Sequence, residues 1–149
     1  MGLLDILQGQ RDYLDTNIFI YALEGFAEFR DILQELFEHI DRGRLHAITS
    51  ELTLAEALIK PLQDRSQERQ NAFEQALQDS ATRTIVPISR VVLIESARLC
   101  ALSGLRLPDA IHATTARLTG CSSFLTNDQR LRAVPNLHVV ILAEIDQHL

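Results

Sequence analysis

From Arg11 to Leu142 short apolar runs alternate with longer stretches of helical periodicity. That alternation restricts the chain to an α/β architecture, in which a mainly parallel sheet is covered by helices. RDYLD reads as the first strand, ending at Asp15, and TNIFIYAL turns helical behind it. The clearest helix follows, because Phe29, Ile32, Leu33, Leu36, Phe37 and Ile40 recur at three- and four-residue spacing with acids between them. Gly43 is its expected C-cap. HAITS forms a second strand, and Ser50 caps a helix through LTLAEALIK that should stop at Pro61.

The polar stretch from Asp64 to Asp79 keeps a thin apolar face at Ala72, Phe73, Ala76 and Leu77, which suits a peripheral helix. RTIVPI is a third strand; Ser89 opens a helix that Gly104 closes. Pro108 suits the first turn of the next helix, DAIHATTARLTG, which should stop at Gly120. SSFLT is a fourth strand, NDQRL a short turn or helix, and LHVVIL a fifth strand before a final acidic helix. The 149 residues suit a single domain, 1–149, and the 46% hydrophobic composition is enough for a core without staples.

Cys100 and Cys121 lack CxxC spacing or a nearby His pair and read as reduced thiols. Asp5 interrupts the only apolar stretch of the N-terminus, and no apolar run is long enough to span a bilayer. The expected location is therefore cytoplasmic, with no membrane partner. A net charge of -6 argues against a broadly basic surface of the kind that grips duplex DNA. A nuclease is still allowed, because metal ions bring their own positive charge to a phosphate and Arg residues need form only a local rim. Arg83, Arg90, Arg130 and Arg132 are candidates for that rim, with ordinary solvated charges as the alternative reading.

Asp15, Glu56, Asp109 and Asp128 all stand near element boundaries. In open α/β sheets ligands bind beyond the carboxyl ends of the strands, and these acids are placed to reach that edge. Asp15, Asp109 and Asp128 each have a simple alternative role at a helix N-terminus. Glu56 does not, lying within a helix beside Leu54, Ala55, Ala57 and Leu58. If the four converge to roughly 5 Å, each like-charge pair repels by about 3 kcal/mol at an effective dielectric near 20. Such a cluster needs raised pKa values or divalent cations, and an all-oxygen set favours Mg²⁺ or Mn²⁺ over zinc.

LDTNIFIYAL, SELTLAEAL and LPDAIHATTARLTGCSSFLTNDQRL, in that order, resemble the PIN domain, specifically the compact form of VapC-type toxins of bacterial toxin–antitoxin pairs. The similarity runs from about Asp12 to the last strand, and its most specific part is the Pro-Asp-Ala block followed by Leu-Thr-Asn-Asp. It implies a three-layer α/β/α sandwich with a central five-stranded sheet, and a metal-dependent ribonuclease with Asp15, Glu56, Asp109 and Asp128 as the catalytic, metal-binding acids. Asn17 and Thr126 match accompanying polar positions that orient the carboxylates, while His112 is taken as a structural or rim residue. Metal-assisted in-line hydrolysis of this kind leaves a 5′ phosphate and a 3′ hydroxyl.

The resemblance also implies an RNA substrate, a cognate antitoxin over the acidic groove, and a homodimer. Phe19, Tyr21, Phe26, Phe29 and Phe37 are candidates for the dimer contact, with core packing the alternative for most of them. Two other functions remain open from sequence. One is a non-catalytic module of the same fold that acts through a protein partner. The other is phosphotransfer through an aspartyl phosphate, which is disfavoured because the sole lysine, Lys60, lies beside Pro61 at a helix end.

Overall fold

The computed structural model describes residues 2–7 and 9–145. After a short helix α1 (Leu3–Ile6), strand β1 (Arg11–Leu14) leads into α2 (Thr16–Glu24) and α3 (Arg30–Asp41). Strand β2 (His46–Ser50) is followed by α4 (Glu51–Gln63) and α5 (Gln67–Ala76), and β3 (Arg83–Val86) by α6 (Arg90–Ser103) and α7 (Leu107–Leu118). Strands β4 (Ser123–Thr126) and β5 (Val139–Ile141) complete the order, with 3-10 turns at Gln129–Ala133 and Leu142–Glu144. The five strands are all parallel, in the order β3-β2-β1-β4-β5.

The two sheet faces bury different sets of side chains, as the two-residue repeat of a strand requires. Leu14, Ala47, Ile85 and Leu125 face Ile18, Phe19, Leu33, Leu36 and Ile40 of α2 and α3. On the other face Tyr13, Ile48 and Phe124 meet Ala116 and Leu131, with Leu99, Ala110, Ala113 and Val134 beyond them. This is the expected three-layer sandwich, and near-continuous burial along β1, β2 and β4 follows from helices on both sides. Phe19 and Phe29 are core residues, Tyr21 and Phe37 are half-buried, and only Phe26 is largely exposed.

Strand order creates one special crevice. The chain leaves β1 toward β2 and β3, then returns across the sheet to β4 on the other side of β1. Connections therefore diverge above β1 and β4, leaving a gap at their carboxyl ends where side chains from separate connections can meet. The end of β1 is tied to β4 by the backbone bond from the Asp15 N–H to the Leu125 carbonyl, at 2.9 Å.

Caps set the helix boundaries largely as expected. Ser50 accepts from the Leu52 N–H and Ser89 from the Val92 N–H, while Gly104 takes the left-handed conformation that ends α6. Helix α3 ends at Asp41 with Arg42 as its C-cap, one residue before the expected Gly43, which has φ +73°. Helix α4 runs past Pro61 to Gln63, beyond the expected stop. Proline loses only its own N–H bond, so a helix can continue for a last turn; the Asp64 N–H still reaches the Lys60 carbonyl at 2.9 Å, and the Pro61 ring is buried. The expected acidic helix after β5 is only a 3-10 turn at Leu142–Glu144, and residues 146–149 lie outside the described residues.

Asp12 is a charge-bearing residue inside this core. It is fully buried on β1, and among the described residues neither carboxylate oxygen has a hydrogen bond of good geometry. Burial pushes its pKa up to about 7, although the neighbouring Ser123 draws it partly back. A carboxyl whose folded pKa lies above its unfolded value is stabilising in its neutral form, so stability falls as pH rises from 3.8 toward 7 and then levels. The full effect is at most roughly 4 kcal/mol. In urea unfolding at pH 4 to 8, Asp12→Asn should lose distinctly less stability with rising pH than wild type; equal slopes would contradict this account.

Candidate active site

All four acids line one depression of about 340 Å³ over the crevice, with Thr16, Asn17, Ile20, Ile59, Arg106, His112 and Arg130 around them. A larger depression of about 440 Å³ lies beside α2 and α3, lined by Tyr21, Leu23, Leu33 and Phe37 with Arg30 and Arg83. It contains no acid and has no means of acid–base or metal chemistry.

Asp15 is the N-cap of α2 and sits where β1 ends. Its Oδ1 accepts from the Thr16 N–H at 2.8 Å and its Oδ2 from the Thr126 hydroxyl at 2.6 Å. Thr126, the last residue of β4, also accepts from the Asp128 N–H at 3.1 Å. One hydroxyl thus spans the crevice and aligns two acids carried by different connections. Burial pushes the Asp15 pKa up, against the pull of His112 and of the Thr126 and Thr16 hydrogen bonds.

Glu56 reaches the crevice from α4. Its Oε1 accepts from the Thr16 hydroxyl and from His112 Nε2, each at 2.7 Å. Burial alone would raise its pKa, but the His112 and Thr16 bonds outweigh burial and hold it below the ordinary carboxylate range. His112 is buried beneath the acids, with Nδ1 2.6 Å from the Tyr13 hydroxyl and Nε2 3.6 Å from Asp15 Oδ1. Burial disfavours the imidazolium, yet Glu56 and Asp15 overcome it and raise the His112 pKa. Tyr13 is itself fixed by stacking on Phe124, at 4.8 Å between centroids.

Asp109 lies in the first turn of α7, after Pro108 at the helix start. Its Oδ2 is buried and, among the described residues, makes no hydrogen bond but ionic contacts to Arg106 Nε at 3.6 Å and Arg130 Nη2 at 3.7 Å. Asp128 caps the 3-10 turn after β4. Arg130 grips its carboxylate with Nε at 3.0 and 3.2 Å and Nη2 at 2.6 Å, and that contact is the main reason the Asp128 pKa is lowered.

The structure therefore brings together Asp15, Glu56, Asp109, Asp128, Thr126 and Arg130. Asn17 lines the same depression but makes no hydrogen bond to any acid; its Oδ1 is buried without a partner among the described residues. Three of the arginines expected at the rim stand elsewhere. Arg83 opens β3, and parallel strands put their first residues at the edge opposite the acids; it lies over the Phe37 ring, pairs with Asp41 and donates to the Ala76 carbonyl. Arg132 pairs with Glu144. Arg90, exposed at the start of α6, has no ion pair or hydrogen bond to the acids among the described residues. His112 is not a rim residue but a buried partner of the cluster, and Arg106 and Thr16 also belong to the site.

The donor chemistry fits a hard divalent ion, since every acid offers oxygen and the orphaned Asp109 Oδ2 and Asn17 Oδ1 lie in the lining. In the geometry seen, however, no three His, Cys, Asp or Glu residues among the described residues stand close enough to hold one. Asp15 and Glu56 are engaged by His112 and the threonines, and Asp128 by Arg130.

The all-parallel α/β fold gathers acids at its switch point, where ligands of open sheets bind. The PIN domain family profile matches residues 13–137, and the chain belongs to that family. Among solved structures it is similar to the VapBC2 complex of Rickettsia felis bound to a fragment of promoter DNA, at 18% identity and TM-score 0.66, covering 88% of this chain and 98% of that one. A toxin–antitoxin complex from Klebsiella pneumoniae is similar at 25% identity and TM-score 0.64, covering 90% and 99%. The FitAcB structure from Neisseria gonorrhoeae aligns at 16% identity and TM-score 0.61, covering 90% and 99%. No curated protein sequence matches significantly.

Removing the buried imidazole tests its part in this arrangement. His112→Ala strips Glu56 and Tyr13 of a partner and removes the imidazole that lies between Asp15 and Glu56. Urea unfolding should show a loss of about 1–3 kcal/mol; a loss below about 0.5 kcal/mol would mean that His112 does not hold the acids.

Proposed function

We propose that this PIN domain protein is a metal-dependent endoribonuclease acting as the toxin of a toxin–antitoxin pair. The observation that carries the reading is the meeting of Asp15, Glu56, Asp109 and Asp128 in one depression at the carboxyl edge of the sheet. When bound, Mg²⁺ or Mn²⁺ supplies Lewis-acid polarisation of the phosphate and lowers the pKa of a water. Asp15 and Asp109 would hold the ion, with Asp128 and Glu56 completing the set. Thr126 keeps Asp15 and the Asp128 backbone in register, and His112 with Thr16 fixes Glu56. Arg106 and Arg130, exposed at the mouth, face the position of the RNA phosphates.

A cognate antitoxin is the proposed protein partner, since the similar solved structures include toxin–antitoxin complexes. Self-association would use exposed apolar side chains on α6 and α7, among them Val91, Ile94, Leu102, Leu107 and Leu118, more readily than the mostly buried phenylalanines. No described helix is long and apolar enough to cross a membrane, which agrees with the proposed cytoplasmic location.

The non-catalytic reading draws on one observation: each acid already has a basic side chain or a hydroxyl beside it, so part of the cluster's charge is offset without metal. Phosphotransfer gains no support, because Lys60 pairs with Asp64 at 3.2 Å and is absent from the depression. Cleavage of mixed single-stranded RNA with Mn²⁺, Mg²⁺ and EDTA separates these functions. Wild type should cut only with metal, Asp109→Asn should lose about 100-fold or more, and Thr126→Val about 10- to 100-fold. Cleavage unaffected by EDTA and by Asp109→Asn would overturn the reading.

A further inference from the structure

We propose that Arg130 is a displaceable occupant of the cation position. It bridges Asp128 and Asp109 while the metal is away and exchanges them for an RNA phosphate when a divalent ion enters. This rests on the metal-dependent reading above. The Arg130 guanidinium contacts both oxygens of Asp128, at 2.6 to 3.2 Å, and stands 3.7 Å from Asp109 Oδ2. It thus joins two acids from separate connections, on α7 and after β4, as a shared metal ion would.

Among the described residues Asp109 Oδ2 has no hydrogen bond, so its 3.7 Å contact with Arg130 is ionic and gives no directional hold on the guanidinium. The Arg130 side chain is 55% exposed, so it can swing into solvent, where water replaces the carboxylates as its partner. A divalent ion between these carboxylates would repel the guanidinium and compete for the same oxygens. Asp128 would remain in place, because its Oδ1 also accepts from the Arg130 backbone N–H at 3.0 Å, a bond that does not depend on the side chain.

The other cations cannot make this exchange. His112 is buried beneath Glu56, and Arg106, though exposed, ion-pairs among the described acids with Asp109 alone, at 3.6 Å, so it does not bridge two of them as Arg130 does. Once released, Arg130 remains at the mouth of the depression with a planar fork of donors, which fits a phosphate as well as it fits a carboxylate.

The test is Mn²⁺ titration of the purified protein, followed by electron paramagnetic resonance without RNA, for wild type, Arg130→Ala and Asp109→Asn. Kinetics on single-stranded RNA at saturating Mn²⁺ accompany it. Arg130→Ala retains the backbone bond to Asp128, so it should bind Mn²⁺ about 2- to 5-fold tighter than wild type while its KM for RNA rises more than its kcat falls. A residue that merely supported the fold would weaken metal binding instead. Wild-type binding with no gain in Arg130→Ala, or an unaltered KM, overturns the role of Arg130 and leaves the nuclease reading standing. Absence of Mn²⁺ binding by both proteins overturns the two together.

Discussion

Repulsion among carboxylates is the constraint around which this site is arranged. Four acids line one crevice, and like charges gathered in a partly buried site repel unless counter-charge is present. The protein meets that demand from two sides. His112 lies below, held by Tyr13 and directed at Glu56 and Asp15, while Arg106 and Arg130 approach Asp109 and Asp128 from the exposed rim. The cluster is consequently split into a buried pair that shares one imidazole and an outer pair met by two guanidinium groups. Only the outer cations are free to leave without disturbing the core.

Strand order makes such crowding possible. Because β1 lies between β2 and β4, the residues that follow β1 and β4 diverge, and the gap receives α4 and α7 from either side. The threonines then fix the carboxylates at low cost: Thr126 closes β4, Thr16 opens α2, and each gives its hydroxyl proton to an acid from another part of the chain. Asp12 shows the contrast at the other end of the same strand. Buried with no basic group paired to it among the described residues, and with only the Ser123 hydroxyl drawing its pKa partly back, it keeps its proton to near pH 7, whereas Glu56 and Asp128, which have basic partners, are held in the charged form.

The strands and long helices were legible because their apolar spacing is local, and Ser50, Ser89 and Gly104 mark boundaries through their own backbone chemistry. That the acids share one depression was suggested by the place of the three aspartates at the ends of elements, by the setting of Glu56 inside a helix and by the family resemblance. The sequence did not reveal their partners. His112 meets Tyr13 across 99 residues and Glu56 across 56, contacts that depend on how β1, α4 and α7 pack. The spacing of Arg106 and His112, three residues to either side of Asp109 on one helical face, was the available signal. Arg83 could have been excluded, since a residue that opens a parallel strand lies at the edge away from the acids. Pro61 misled because a proline near the end of a helix removes only one bond.

The most direct measurement is the anomalous difference map of a crystal of this protein soaked in Mn²⁺. The account predicts a peak among Asp15, Asp109 and Asp128, with the Arg130 side chain turned away from both carboxylates it now touches. A fully soaked crystal with no peak there, or with Mn²⁺ bound only outside the depression, would contradict it.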